Sequence, residues 1–154
     1  MKKWAIILGG SSGIGLATAK KLGKHGYNLI IVHRDRRSDL DHINAQFDTI
    51  RESSVSLEAF NFDATNEEKI PKHFNQIKEL IGQDPIAIFV HAISRGNLKP
   101  LIGNPRLTMQ DLRLTIDAMA LSLQLWVNQV IDADLLTDGS TIVTLSSAGS
   151  EKIW

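Results

Sequence analysis

The sequence predicts an α/β domain built on a doubly wound parallel sheet, and three observations predict it. Five apolar runs of strand length alternate with segments of helical periodicity. The runs show little polar alternation, as strands covered on both faces require. A glycine-rich turn, Gly9-Gly10-Ser11-Ser12-Gly13-Ile14-Gly15, follows the first run and opens the first helical segment. Right-handed crossovers between such strands give the order 3-2-1-4-5, with a ligand crevice at the strand carboxyl ends between strands one and four.

The first strand is Trp4 to Leu8, and the helix from Ile14 to His25 stops near Gly26. Asn28 to His33 is the second strand, running into Arg34-Asp35-Arg36-Arg37. The polar segment Ser38 to Glu52 reads as a helix with Leu40, Ile43 and Phe47 on one face. Val55 to Phe62 is a third, more exposed strand ending at Asp63. Thr65 and Glu68 have the spacing of a capping box, and Ile70, Phe74, Ile77 and Ile81 recur at helical intervals. Pro71 moves the start of that helix towards Ile70, because proline is tolerated only in a first turn.

Ile86 to Val90 is the fourth strand, followed by His91-Ala92-Ile93-Ser94 and a Gly/Pro/Asn loop to Pro105. From Thr108 to about Leu136 runs the longest periodic segment. One stripe holds Leu112, Ile116, Met119, Leu123, Val127 and Val130, and another Leu114, Leu121 and Leu125. A helix apolar on two sides needs cover on two sides, from the sheet and from a neighbouring helix or subunit. Asp138-Gly139 marks a turn, and Thr141 to Leu145 is the fifth strand, delivering Ser146, Ser147 and Gly149.

Bulk properties exclude several classes of function. The 154 residues form one domain, 1–154, and 17 basic residues balance 17 acidic ones. Global charge therefore gives no case for nucleic acid or an anionic membrane as partner. Without cysteine there is no disulfide framework, thiolate metal site or cysteine nucleophile, which is compatible with the cytoplasm. The apolar run after Lys3 breaks at Gly9, too early for a signal sequence or a membrane span. Asp39, Asp41 and His42 lack a second cluster, so no metal site is expected. His25, His42 and His73 are expected on the surface.

The candidate site residues converge on one sheet edge. The turn of Gly9, Ser11, Ser12, Gly13, Ile14 and Gly15 lets backbone N–H groups at a helix start approach an anion. Arg34 stands where an acidic residue would hold the ribose hydroxyls of NAD, which invites a 2′-phosphate and hence NADP rather than NAD, the alternative being a solvated Arg34-Asp35-Arg36-Arg37 turn. His33 beside it fits either adenine stacking or a simple strand-end residue. Ser146 and Ser147 can donate to a substrate carbonyl or cap the strand end. Neither has an adjacent base to make it a covalent nucleophile. Asp117 is either a surface carboxylate or part of an active-site network.

With these residues placed, the whole chain resembles a short-chain dehydrogenase/reductase, a Rossmann-like family. Gly9 to Gly15 resembles its T-G-x-x-x-G-I-G turn, with Gly9 in place of threonine. Asp63 matches the aspartate after strand three that holds adenine, with Ala64 beside it. His91, Ala92 and Ile93 occupy the place of the family's N-N-A-G, whose backbone meets the nicotinamide-side ribose. Leu145 to Gly149 matches the strand that carries the active-site serine. His91-Ala92-Ile93, and Asp117 where the family usually carries a catalytic asparagine, resemble the enoyl-acyl-carrier-protein reductases of fatty-acid synthesis. Ser146 to Lys152 and Gly96 to Pro100 are similar in style to that branch's NADPH-using members.

The resemblance implies an NAD(P)H-dependent oxidoreductase that reduces an enoyl thioester or a carbonyl. It implies a small-molecule or acyl-thioester substrate, with acyl carrier protein as a candidate partner, and a homodimer or homotetramer paired through the long helix. It also implies a Tyr-x-x-x-Lys pair, and last strands, beyond Trp154. The only tyrosine is Tyr27, and Lys152 has Ala148 four residues before it. The chain is therefore read as the N-terminal part of a longer domain that binds better than it catalyses. A non-catalytic dinucleotide-binding sensor or interaction module is the alternative on the same fold.

Overall fold

In a computed structural model, which describes residues 2–146, five parallel strands are ordered β3-β2-β1-β4-β5. The strands are β1 (Trp4–Leu8), β2 (Asn28–His33), β3 (Leu57–Asn61), β4 (Ile86–His91) and β5 (Thr141–Thr144). The helices are α1 (Gly13–Lys24), α2 (Leu40–Arg51), α3 (Ile70–Ile81), and α4 (Met109–Ile116) continuing into α5 (Ser122–Asp132). The predicted order of strands is the observed one.

Every residue of β1 and β2 is buried, because alternate side chains serve two separate cores. Trp4, Ile6, Leu8, Ile30 and Val32 point to the face covered by α3 and α5, where they meet Phe74, Ile77, Trp126 and Val130. Ala5, Ile7, Leu29 and Ile31 point to the other face, against Ala19 of α1 and Ile43, Phe47 and Ile50 of α2. That two-sided burial is why the strands read as unbroken apolar runs. The edges differ: β3 buries only Leu57, and all four residues of β5 are exposed.

Three expectations need correction. Thr65 and Glu68 form no capping box, because the Thr65 hydroxyl and N–H are both drawn to Asp63 Oδ1. Asn66 takes over, its Oδ1 accepting from the N–H groups of Glu68 and Lys69 just before α3. Arg37, Ser38 and Asp39 form a 3₁₀ turn, so α2 starts at Leu40 rather than Ser38.

The third correction concerns the long helix. Met109 to Asp132 is one run of 24 residues, with a π turn at Asp117–Leu121 joining α4 to α5. A real capping box, Thr108 with Asp111, opens it. The buried stripe is Ala118, Ser122, Trp126 and Val130, of which only Val130 belongs to the expected leucine-rich stripes. Leu112, Ile116, Met119 and Leu121 are exposed. Leu123, Leu125 and Val127 of the expected stripes flank the buried one, half-buried, and pack against the same core. The helix is long and apolar enough to cross a bilayer, but its α5 half is fixed in the core by Trp126 and Val130.

Candidate functional site

A cavity of about 410 Å³ opens at the carboxyl ends of the strands. Gly9, Ser11, Ser12, Gly13, Ile14 and Gly15 form one wall. His33, Arg34 and Asp35 bring the end of β2, Asp63 and Ala64 the end of β3, and Ala92, Ile93 and Arg95 the end of β4. Leu145 closes the side next to β5.

The glycine turn is shaped by close backbone approach. Gly9 has φ +82, donates its N–H to Val32 O (2.8 Å), and lies against β4, where an added Cβ would be 2.7 Å from Ala92 O. A Cβ on Gly15 would collide with the Gly9 carbonyl. Gly13 is different: at φ +53 its missing Cβ faces open space in the cavity wall. The first backbone bond of α1 runs from Leu16 N–H to Ser12 O (3.0 Å), so the N–H groups of Gly13, Ile14 and Gly15 have no partner inside the helix. Ser12, the N-cap, makes no side-chain capping bond, and no acidic residue stands in the first turn. An anionic group suits this end of the helix.

Opposite the turn lies a charged knot. Asp63 Oδ2 accepts from Arg34 Nη1 (2.9 Å) and Arg95 Nη1 (3.0 Å). Its Oδ1 accepts from Thr65 N–H (3.0 Å) and Oγ1 (2.7 Å). Burial alone would raise the Asp63 pKa. The Thr65 hydrogen bonds and the two guanidinium charges outweigh it and hold the carboxyl below its ordinary value. Arg34 and Asp63 were expected to act separately, and the fold pairs them.

The other expected residues fall into three groups. His33 is buried, with Nδ1 2.8 Å from Asp35 Oδ2 and its ring edge-on to Phe47, so it is anchored sideways rather than offered as a stacking face. His91 is buried beneath the cavity, and its side chain does not line it. Ser122 Oγ donates to Ala118 O (2.8 Å) and so accepts from His91 Nε2–H (2.8 Å), which fixes the imidazole tautomer. Burial lowers the His91 pKa and keeps the ring neutral. Asp117 sits in the π turn and faces a neighbouring groove with Thr65, Asn66 and Glu67, not the cavity. Ser146 is exposed and does not line the cavity, and Ser147 lies outside the described residues.

Three contributors were not legible in advance. Arg95 stands in the loop after β4, and only its place near a strand end and its charge could have marked it. Thr65 was assigned to capping. Trp126, an ordinary core residue by pattern, donates Nε1–H to Ala64 O (2.9 Å) from across the fold. His73, expected on the surface, stacks on Phe62 at 3.8 Å, the aromatic that precedes Asp63. Among the described residues no cluster of His, Asp or Glu could hold a metal ion.

Comparison with known proteins adds to this geometry. A family model described as Enoyl-(Acyl carrier protein) reductase matches residues 9–154. A very-long-chain 3-oxoacyl-CoA reductase of Phaeosphaeria nodorum is 29% identical over 150 residues, covering 95% of this chain and 42% of that protein. A short-chain dehydrogenase from Burkholderia cenocepacia, solved with NADP, superposes with a TM-score of 0.79 at 22% identity over 98% of this chain and 58% of its own. A 3-oxoacyl-[acyl-carrier protein] reductase from Brucella melitensis gives 0.78 at 19% identity, over 97% and 59%. The chain thus spans well under two thirds of the length of these proteins.

Proposed function

Because the chain belongs to the short-chain dehydrogenase/reductase family, we propose that it holds NADP(H) in the cavity at the strand ends and serves the reduction of a 3-oxoacyl thioester. The observation that carries this reading is the opposition of two features across one cavity. N–H groups of a helix start that have no partner inside the helix stand on one side, and two arginines around a carboxylate on the other. A dinucleotide has the matching parts: a pyrophosphate, a phosphorylated ribose and an adenine with a donor amino group.

In this reading the Gly13, Ile14 and Gly15 N–H groups hold the pyrophosphate, and open space at Gly13 lets it approach the backbone. Arg34 receives the 2′-phosphate, Asp63 and Ala64 the adenine, and the Ala92 and Ile93 backbone the nicotinamide-side ribose. The cofactor supplies the hydride chemistry, and the chain supplies orientation and charge. Ser146 and Ser147 are proposed to hydrogen-bond the substrate carbonyl. Asp117 is proposed to act through bound water, since it faces the adjoining groove.

The relatives named as 3-oxoacyl reductases favour a carbonyl substrate. The description of the family model and the His91-Ala92-Ile93 segment favour an enoyl thioester as the second choice. A cytoplasmic homodimer or homotetramer, taking its substrate on coenzyme A or acyl carrier protein, completes the proposal. Exposed Leu112, Ile116 and Met119 on the long helix support the pairing of copies. A non-catalytic dinucleotide-binding sensor or interaction module on the same fold is the second reading.

Titration with NADPH and NADH, followed by NADPH oxidation assays on 3-oxoacyl and enoyl thioesters, tests these readings. Binding of NADPH by this chain is expected, with 3-oxoacyl turnover in the longer domain of which it is read as the N-terminal part. Binding without turnover on either thioester by that longer domain selects the sensor, and no binding of either nucleotide overturns the assignment of the cavity.

A further inference from the structure

The Asp63 carboxylate is full. A carboxylate offers about four acceptor positions, and here Thr65 N–H and Oγ1 take two on Oδ1 while Arg34 and Arg95 take two on Oδ2. No acceptor remains for an incoming donor such as the adenine amino group unless one of these partners lets go. Thr65 is two residues along the chain and bound twice, so it stays. Of the two arginines, Arg34 is the more exposed, 54% against 33% for Arg95, and is the freer to move.

We propose that the Arg34–Asp63 ion pair is a selectivity latch that admits NADP(H) and resists NAD(H). The inference rests on the reading of the cavity as a dinucleotide site with its adenosine end at Asp63. A 2′-phosphate offers Arg34 a new anion in exchange for Asp63, and the released Oδ2 position becomes available to the adenine. A ribose without that phosphate offers nothing in exchange. Asp35, the other carboxylate on this wall, is engaged by His33, and Arg95 keeps Asp63 compensated after Arg34 leaves. Arg34 thus discriminates twice, by attracting the phosphate and by blocking Asp63 against the nucleotide that lacks it.

The two roles separate in an Arg34→Gln variant, whose half-exposed site leaves the fold intact. Dissociation constants for NADPH and NADH are measured by titration on wild type and variant, with melting curves as the check on folding. Loss of the phosphate contact raises the NADPH constant roughly tenfold or more. Opening the latch lowers the NADH constant about two- to fivefold, the worth of an exposed ion pair. An unchanged or raised NADH constant in the variant overturns the latch, because a residue that only contacts phosphate leaves NADH untouched. A wild type that binds NADH as tightly as NADPH also overturns it while sparing the dinucleotide reading. A wild type that binds neither nucleotide removes both.

Discussion

Trp126 and Ala64, 62 residues apart, are joined by a buried hydrogen bond of 2.9 Å from the indole N–H to the backbone carbonyl. The same indole is fully buried, about 6 Å from the rings of Phe62, Phe74 and Phe89. The core therefore positions the strand-end segment that carries Asp63.

Trp126→Phe leaves the Ala64 carbonyl buried without its donor. Trp4 provides the control, because its indole nitrogen is buried with no partner among the described residues. Trp4→Phe removes similar volume and an unsatisfied donor together. Urea unfolding should show Trp126→Phe costing about 1–3 kcal/mol more than Trp4→Phe, the usual consequence of orphaning a buried polar group. Only Trp126→Phe should also weaken NADPH binding. Equal losses in the two variants would remove the Ala64 bond from the account.

The glycines of the turn should separate folding from binding. Gly15→Ala drives a methyl group into the Gly9 carbonyl, so the turn cannot close and both stability and NADPH binding are lost. Gly13→Ala meets no atom within 4 Å but must hold φ +53, a strain of about 1–2 kcal/mol. Its methyl group stands on a residue that lines the cavity. A folded Gly13→Ala variant that binds NADPH like wild type would show that the nucleotide does not approach this residue.

His91 makes stability depend on pH in a defined direction. Burial lowers its folded pKa below the unfolded value of about 6.5, so the folded state resists protonation. Its contribution is complete above pH 6.5 and declines as pH falls towards the folded pKa, where the unfolded chain binds the extra proton. His91→Gln keeps a donor near the Nε2 position for Ser122 without the titration. The melting temperature of wild type should therefore fall more steeply between pH 7 and 5 than that of the variant, and parallel curves would contradict this.

Asp111 acts in a more acidic window. The Thr108 backbone and side-chain hydrogen bonds, then Lys99, lower its pKa to about 2. Its contribution is present above the unfolded value of about 3.9 and is lost as pH falls from there to about 2. Asp63, also lowered, titrates in the same direction. Asp111→Asn should flatten the acid limb of a thermal titration without removing it. An unchanged limb would mean that the tie between Lys99 and the start of α4 does not contribute.

The sheet was legible because β1 and β2 are buried on both faces and β4 largely so, and such burial writes itself as unbroken apolar runs. The glycine turn was legible for a similar reason, since its backbone requirements admit few other residues. What could not be read were choices between partners. Thr65 had the spacing of a cap, but the nearby Asp63 carboxylate competes better for its hydroxyl than the distant backbone does. Asp63 and Arg34 each had a role by position, yet whether they face a ligand or each other depends on side-chain reach across two strands. On the long helix the expected stripes met the core only in their second half, where Leu123, Leu125, Val127 and Val130 pack around Ser122 and Trp126, while Leu112 and Ile116 are exposed.

The π turn at Asp117–Leu121 sets a tolerance on chain length. It accommodates one residue more than α-helical winding would use, and each residue turns a helix by about 100°. Deleting a single residue there lets the segment wind as a plain α-helix while the face beyond it keeps its direction. The same deletion in the regular turns of α4 swings everything beyond it by about 100°, taking Trp126 away from Ala64 and Ser122 away from His91 with no atom of either residue altered. A deletion scan along the first half of the helix should therefore find its mildest loss of fold within these five positions.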